Sequence, residues 1–161
     1  MKRIGIIALL VALGAGLVAC GDDTKDESGE LSTSEFASDA NAACQANTKK
    51  VDAALKNVNP GVPTGQASAD AISQVSTYDK QLIDRVDDLA APESEQDTID
   101  QLLDKWRDRA SQEEKVANAI EAGEDESELE ALNDSLNSIE DDANAIAKSL
   151  DLDDSCQRGG T

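Results

Sequence analysis

The sequence contains no histidine, and its only aromatic residues are Phe36, Tyr78 and Trp106. The absence of histidine removes the commonest general base and zinc ligand, and with them every Ser-His or Cys-His nucleophile. It also removes the Glu-x-x-His pairs that bind iron in di-iron bundles. Three aromatic side chains are too few for a surface that stacks bases or sugars. We therefore expect no enzyme, no bound metal and no cofactor.

Basic residues are scarce as well, with 14 Lys and Arg against 34 Asp and Glu and a net charge of −20. Nucleic acids and anionic lipid head groups repel such a chain. The sequence therefore predicts no nucleic-acid partner and favours cationic ligands or basic peptides. High negative charge also keeps an exported protein soluble, which is a structural explanation for the same composition.

Long apolar runs are absent except at the start of the chain. Residues 4–19 are apolar with interspersed glycines and follow Lys2 and Arg3, which is the layout of a secretory signal peptide. This run is shorter than the roughly 20 residues that a transmembrane helix needs. It ends in Leu17-Val18-Ala19-Cys20, where two aliphatic residues and one small residue precede a cysteine.

The motif Leu17-Val18-Ala19-Cys20 resembles the lipobox of bacterial lipoproteins, and residues 1–19 are accordingly identified as a lipoprotein signal peptide. The resemblance implies that Cys20 becomes the first residue of the mature chain and carries lipid. Two or more acyl chains such as palmitate hold a protein stably on a membrane, whereas one chain binds marginally. We therefore expect the protein on the extracytoplasmic face of the cell membrane, anchored through Cys20.

Two cysteines remain, Cys44 and Cys156. An even pair in an exported chain indicates a disulfide. The loop that this disulfide would close, counted from Cys44 to Cys156 inclusive, is 113 residues long. We expect the bond to stabilise the fold through its effect on the unfolded chain.

Apolar residues recur at alternating spacings of three and four in four stretches of the chain, which predicts four amphipathic helices. Residues 20–33 precede them and are acidic, so we interpret them as the lipidated cysteine and a flexible tether. A capping box at Ser32-Thr33-Ser34-Glu35 marks the first helix start. Breaks at 59–65, Pro92 and Gly123 separate the helices. No stretch alternates with period two, so no strand is predicted.

Four such helices with short connections predict an all-α fold, an up-down-up-down four-helix bundle over residues 34–156 with coiled-coil-like packing. A frayed tail is predicted at 157–161. In this topology the fourth helix ends at the end of the bundle where the first begins, and Cys156 can therefore reach Cys44.

The body of the chain also resembles small helical cell-surface lipoproteins of Gram-positive bacteria. The resemblance rests on an opening pattern and a closing pattern, Phe36-Ala37-x-x-Ala40-Asn41-Ala42-x-Cys44 and Ala143-x-Ala145-x-x-x-x-Leu150-x-Leu152-x-x-x-Cys156. It implies a helical domain at the cell surface that a disulfide closes. It implies no activity.

Three polar residues, Asn47, Asp79 and Glu113, interrupt the apolar stripes. A rise of about 1.5 Å per residue places Asn47 and Asp79 at nearly the same height, with Trp106 close to them and Glu113 higher. One interpretation is a polar site at mid-bundle formed by these four residues, in which Asp79 binds a cationic group. The other is a buried contact from Asp79 to the Trp106 indole or the Asn47 amide that fixes helix register.

The function that these patterns favour is a binding or adaptor module at the cell envelope, tied to the membrane through Cys20. Its partner would be an envelope protein or peptide that binds an exposed helix face. Two alternatives stay open. One is a small-ligand or cation-binding receptor with the mid-bundle polar site, and the other is a purely structural envelope spacer.

Overall fold

The structure is a computed structural model that describes residues 29–56, 58 and 63–158. The predicted signal peptide at 1–19, the lipidation site Cys20 and most of the predicted tether lie outside the described residues. The described residues form four α-helices, α1 (Thr33–Leu55), α2 (Gln66–Asp87), α3 (Gln96–Ala122) and α4 (Glu126–Ser149). Single 3-10 turns at Glu93–Glu95 and Asp154–Cys156 precede α3 and follow α4. The all-α fold class and its four helices are confirmed.

Local sequence sets the helix ends. The hydroxyl of Ser32 accepts a hydrogen bond from the Glu35 amide at 3.3 Å, and the Glu35 carboxylate accepts one from the Ser32 amide at 3.0 Å. This reciprocal pair is the predicted capping box. At the end of α3, Gly123 adopts a φ of 73°, a left-handed conformation that glycine adopts without a steric penalty. The predicted C-terminal cap is therefore confirmed.

Each helix packs against its neighbour in sequence: α1 against α2, α2 against α3, and α3 against α4. Between α2 and α3, Lys80 pairs with Glu114 and Asp87 pairs with Arg107, so residue numbers fall along α3 as they rise along α2. This is the pairing that antiparallel neighbours require. The up-down-up-down order of all four helices agrees with it and stays a prediction.

The 3-10 turn at Asp154–Cys156 packs against α1. Cys156 forms a disulfide with Cys44 of α1, with 5.0 Å between their Cα atoms. Beside the bond, the hydroxyl of Thr48 donates to the carbonyl of Ser155 at 3.1 Å. The predicted disulfide is confirmed. By contrast, α1 and α4 do not form one of the closely packed helix pairs.

Buried apolar side chains form two clusters. The larger cluster surrounds Trp106 and the disulfide and includes Phe36, Leu82, Ile83, Val86, Ile99, Leu102 and Leu103. The smaller cluster is formed by Ala69, Val116, Ala119, Ile120 and Leu129. Along α2 and α3 the residues between these clusters include buried charges. No helix within the described part of the chain is long and apolar enough to cross a membrane.

The structure corrects two predicted boundaries. Leu31, assigned to the flexible tether, packs against the larger cluster, and its amide donates to the carbonyl of Ala90 at 2.9 Å. Arg158, assigned to the frayed tail, is folded back into the bundle and forms an ion pair with Asp79. Leu31 and Arg158 depart from the predicted boundaries because a single side chain at the end of a domain carries no periodic signal.

Candidate functional site

Asp79 of α2 lies in the centre of the bundle with 0% of its surface exposed. Its Oδ1 accepts hydrogen bonds from Nδ2 of Asn47 at 2.8 Å and from Nη2 of Arg158 at 2.6 Å. Its Oδ2 accepts one from Nε of Arg109 at 3.0 Å. The carboxylate of Asp79 therefore links α1, α2, α3 and the C-terminal segment. Both of its guanidinium partners are mostly buried.

Glu113 lies one turn beyond Arg109 on α3 and is 4% exposed. Its Oε1 is 3.9 Å from Nε of Arg109 and 3.8 Å from Nη1 of Arg158, distances too long for hydrogen bonds. Its Oε2 is buried and has no hydrogen-bond partner among the described residues. We refer to Asn47, Asp79, Arg109, Glu113 and Arg158 as the Asp79 network.

Burial governs ionisation in this network. Desolvation, followed by the negative charge of Asp79, raises the pKa of Glu113 to about 8, although the charges of Arg109 and Arg158 oppose the shift. Desolvation also raises the pKa of Glu140 on α4. The carboxyl of Glu113 therefore keeps its proton to a higher pH than an exposed glutamate does.

A cleft of about 330 Å³ adjoins the network. All four helices contribute to its apolar wall, which consists of Val51, Leu55, Ile72, Val75, Val116 and Leu136. The charged groups that line it are Asp52, Glu113, Glu140, Asp154 and Arg158. The cleft remains because α1 and α4 do not pack closely, and its size falls within the range of small-molecule sites.

The structure brings three of the four predicted site residues together. Asn47, Asp79 and Glu113 belong to the network, and the predicted contact between Asn47 and Asp79 is present. Trp106 is instead part of the larger apolar cluster, and its Nε1 has no hydrogen-bond partner within the described ranges. The alternative contact from Asp79 to the Trp106 indole is therefore wrong, because Asp79 is saturated by Asn47, Arg109 and Arg158.

Arg109 and Arg158 are the two network residues that the sequence analysis missed. Arg109 lies next to Ala110 on α3, outside the predicted apolar spacing, and Arg158 lies beyond the last helix. A signal was nevertheless present, because two acids at inward-facing positions require buried cationic partners. Among residues 29–56, 58 and 63–158, no group of three Asp, Glu, His or Cys side chains is arranged to hold a metal ion.

Comparisons with protein-family models, with curated proteins and with solved structures gave no match. Function is therefore inferred from the geometry of the Asp79 network and the cleft.

Proposed function

We propose that this chain is a lipid-anchored binding module on the extracytoplasmic face of the cell membrane, and that the cleft between α1 and α4 is its ligand site. The observation that carries the proposal is the cleft itself. Protein interiors are normally filled to a uniformly high density, and buried acceptors are normally paired. An apolar cleft beside an unpaired Glu113 oxygen lowers the stability of the fold, and a bound ligand would offset that loss.

The alternative roles account for less of this geometry. A register device explains the bonds that join Asn47, Asp79 and Arg109, but it requires no cleft. A spacer requires neither feature. We propose binding rather than catalysis because both arginines of the network already contact a carboxylate of the same chain, which leaves recognition as the simplest use of the site.

A protein partner is the second candidate, and one observation favours it. Leu132, Leu136 and Ile139 follow each other at spacings of four and three along α4 and are only half-buried. Leu136 lines the cleft, and a half-buried apolar row along a helix is the kind of surface on which an amphipathic helix binds. A small-ligand receptor responds to a solute, whereas an adaptor responds only to a macromolecule.

The membrane anchor rests on the lipobox motif that ends at Cys20. We expect the wild-type protein to partition into the detergent phase of a Triton X-114 extract, because two or more acyl chains bind micelles stably. The Cys20→Ser variant should partition into the aqueous phase. A wild-type protein found in the aqueous phase would refute the anchor and leave the ligand site untouched.

The ligand site is tested by filling the cleft. Leu136→Trp places a larger side chain in the wall, and Asn137→Trp, at an exposed position one residue along α4, is the matched control. A panel of amines, alcohols, carboxylates, divalent ions and basic peptides is screened by melting temperature at fixed ionic strength. A ligand at a hundred times its Kd stabilises by about 2.7 kcal/mol.

We expect a solute that stabilises the wild type and Asn137→Trp and has no effect on Leu136→Trp. Equal shifts in all three proteins would place the binding elsewhere. A panel without any shift would exclude small ligands of these classes and favour the protein partner or the spacer.

A further inference from the structure

The cleft is lined by apolar side chains and, where it meets the Asp79 network, by charged groups. Val51, Ile72 and Leu136 represent its wall, and Glu113 and Arg158 lie where the cleft meets the Asp79 network. A ligand that fills it must therefore be amphipathic. The sign of its polar group is decided by which charges beside the network are already neutralised.

The positive charge beside the network is neutralised within the chain. Nη2 of Arg158 donates to Asp79 at 2.6 Å, and its Nη1 lies 3.8 Å from Glu113. Arg109 likewise donates to Asp79 and is 2% exposed. An anionic ligand would have to take a guanidinium away from Asp79, which would leave that carboxylate buried without its partner.

Glu113, by contrast, has a carboxyl oxygen without a partner among the described residues, and this oxygen can bind a cation once the carboxyl is ionised. Glu113 lines the cleft, and its buried Oε2 accepts no hydrogen bond from any described residue. Asp52, Glu140 and Asp154 lie around the same cleft, so four carboxyl groups line it against one guanidinium. A chain with a net charge of −20 also concentrates cations at its surface.

Building on the proposed ligand site, we infer that the cleft binds a small molecule with an apolar body and a primary ammonium group. The ammonium donates to Oε2 of Glu113, with Glu140 as the second carboxylate, and the apolar body lies against Val75, Val116 and Leu136. An ammonium supplies several N–H donors, and it is compact enough to reach a buried oxygen beside Arg158.

Binding of this kind is linked to a proton. The groups that face Glu113 are Asp79 of α2, Arg109 of α3 and Arg158. Glu140 of α4 and Asp52 of α1 line the same cleft. Burial raises the pKa of Glu113, so the ligand-free carboxyl is partly protonated at neutral pH. The ammonium favours the ionised form, and the amine is therefore expected to bind more tightly as the pH rises from about 6 to 8.

Three probes of similar shape separate the polar group from the apolar body: 2-phenylethylamine, 2-phenylethanol and 3-phenylpropanoate. Calorimetric titration of the full chain, with its disulfide oxidised, gives the Kd of each. We expect the amine to bind about tenfold or more tightly than the alcohol, because a hydrogen bond to a charged group contributes more than one to a neutral group. The carboxylate should bind most weakly.

Glu113→Gln should abolish the preference for the amine over the alcohol. Glu114→Gln is the matched control, since Glu114 is the next residue on α3 but is half-exposed and pairs with Lys80; it should preserve the preference. If the alcohol or the carboxylate binds as tightly as the amine, and Leu136→Trp abolishes that binding, the ammonium inference fails while the cleft stands. If none of the three binds, both the inference and the small-ligand site fail.

Discussion

Replacement of Asp79 by alanine is expected to lower the free energy of unfolding by about 3–5 kcal/mol, the usual loss when one partner of a buried ion pair is removed. The variant leaves Arg109 buried without its carboxylate and deprives Arg158 of its closest acceptor. Asn47 also loses its bond. Urea unfolding followed by circular dichroism measures the difference.

The matched control is Asp84→Ala, which removes an exposed carboxylate from the same helix. Its effect should stay within about 0.5 kcal/mol, as is usual at the surface. The double variant Asp79→Ala/Arg109→Ala should lose less than the sum of the two single variants, because both remove the same contact. A loss below about 1 kcal/mol for Asp79→Ala would contradict the central place of this carboxylate in the fold.

Removal of the disulfide is expected to have an effect of similar size. The bond closes a loop of 113 residues, and loop-closure entropy gives about 4–5 kcal/mol for a loop of that length. The variant Cys44→Ala/Cys156→Ala should unfold at correspondingly lower urea concentration. Arg158 lies two residues beyond Cys156, so the same variant should also weaken the contact between Arg158 and Asp79.

Reduction provides the control for the disulfide. In the presence of dithiothreitol the wild type should become as unstable as the double alanine variant, whereas the variant should not respond. A wild type that keeps its stability after complete reduction would show that the 3-10 turn and the Asp79 network hold the C-terminal segment without the covalent bond.

The positions of the helices were predictable because the spacing of apolar residues and the capping residues are local features of the sequence. The Ser32–Glu35 box and Gly123 mark ends that depend on a few neighbouring atoms. The spacing of apolar residues also predicts which face of each helix points inward, but it does not predict which other helix packs against that face. Leu132, Leu136 and Ile139 lie at the predicted apolar spacing in α4, yet they remain half-buried.

The candidate site was predictable in part for the same reason. A polar residue in an apolar stripe is visible in the sequence, which is how Asn47, Asp79 and Glu113 were found. Height along a helix does not give the direction of a side chain, and Trp106 therefore packs in the larger apolar cluster without donating a hydrogen bond to Asp79. The position of Arg158 depends on how the chain folds back after Cys156, and the size of the cleft depends on the distances between whole helices. Neither is encoded by a local pattern in the sequence.

The most direct measurement of the ligand site is a titration of methyl-labelled protein by NMR with whichever of the three phenyl probes binds. We expect saturable shifts of the methyl groups of Val51, Ile72, Val75, Val116 and Leu136. Methyl groups of the larger apolar cluster, such as those of Leu102, should not move. Shifts confined to residues outside the cleft, or none at saturating probe, would contradict the assignment of this cleft as the binding site.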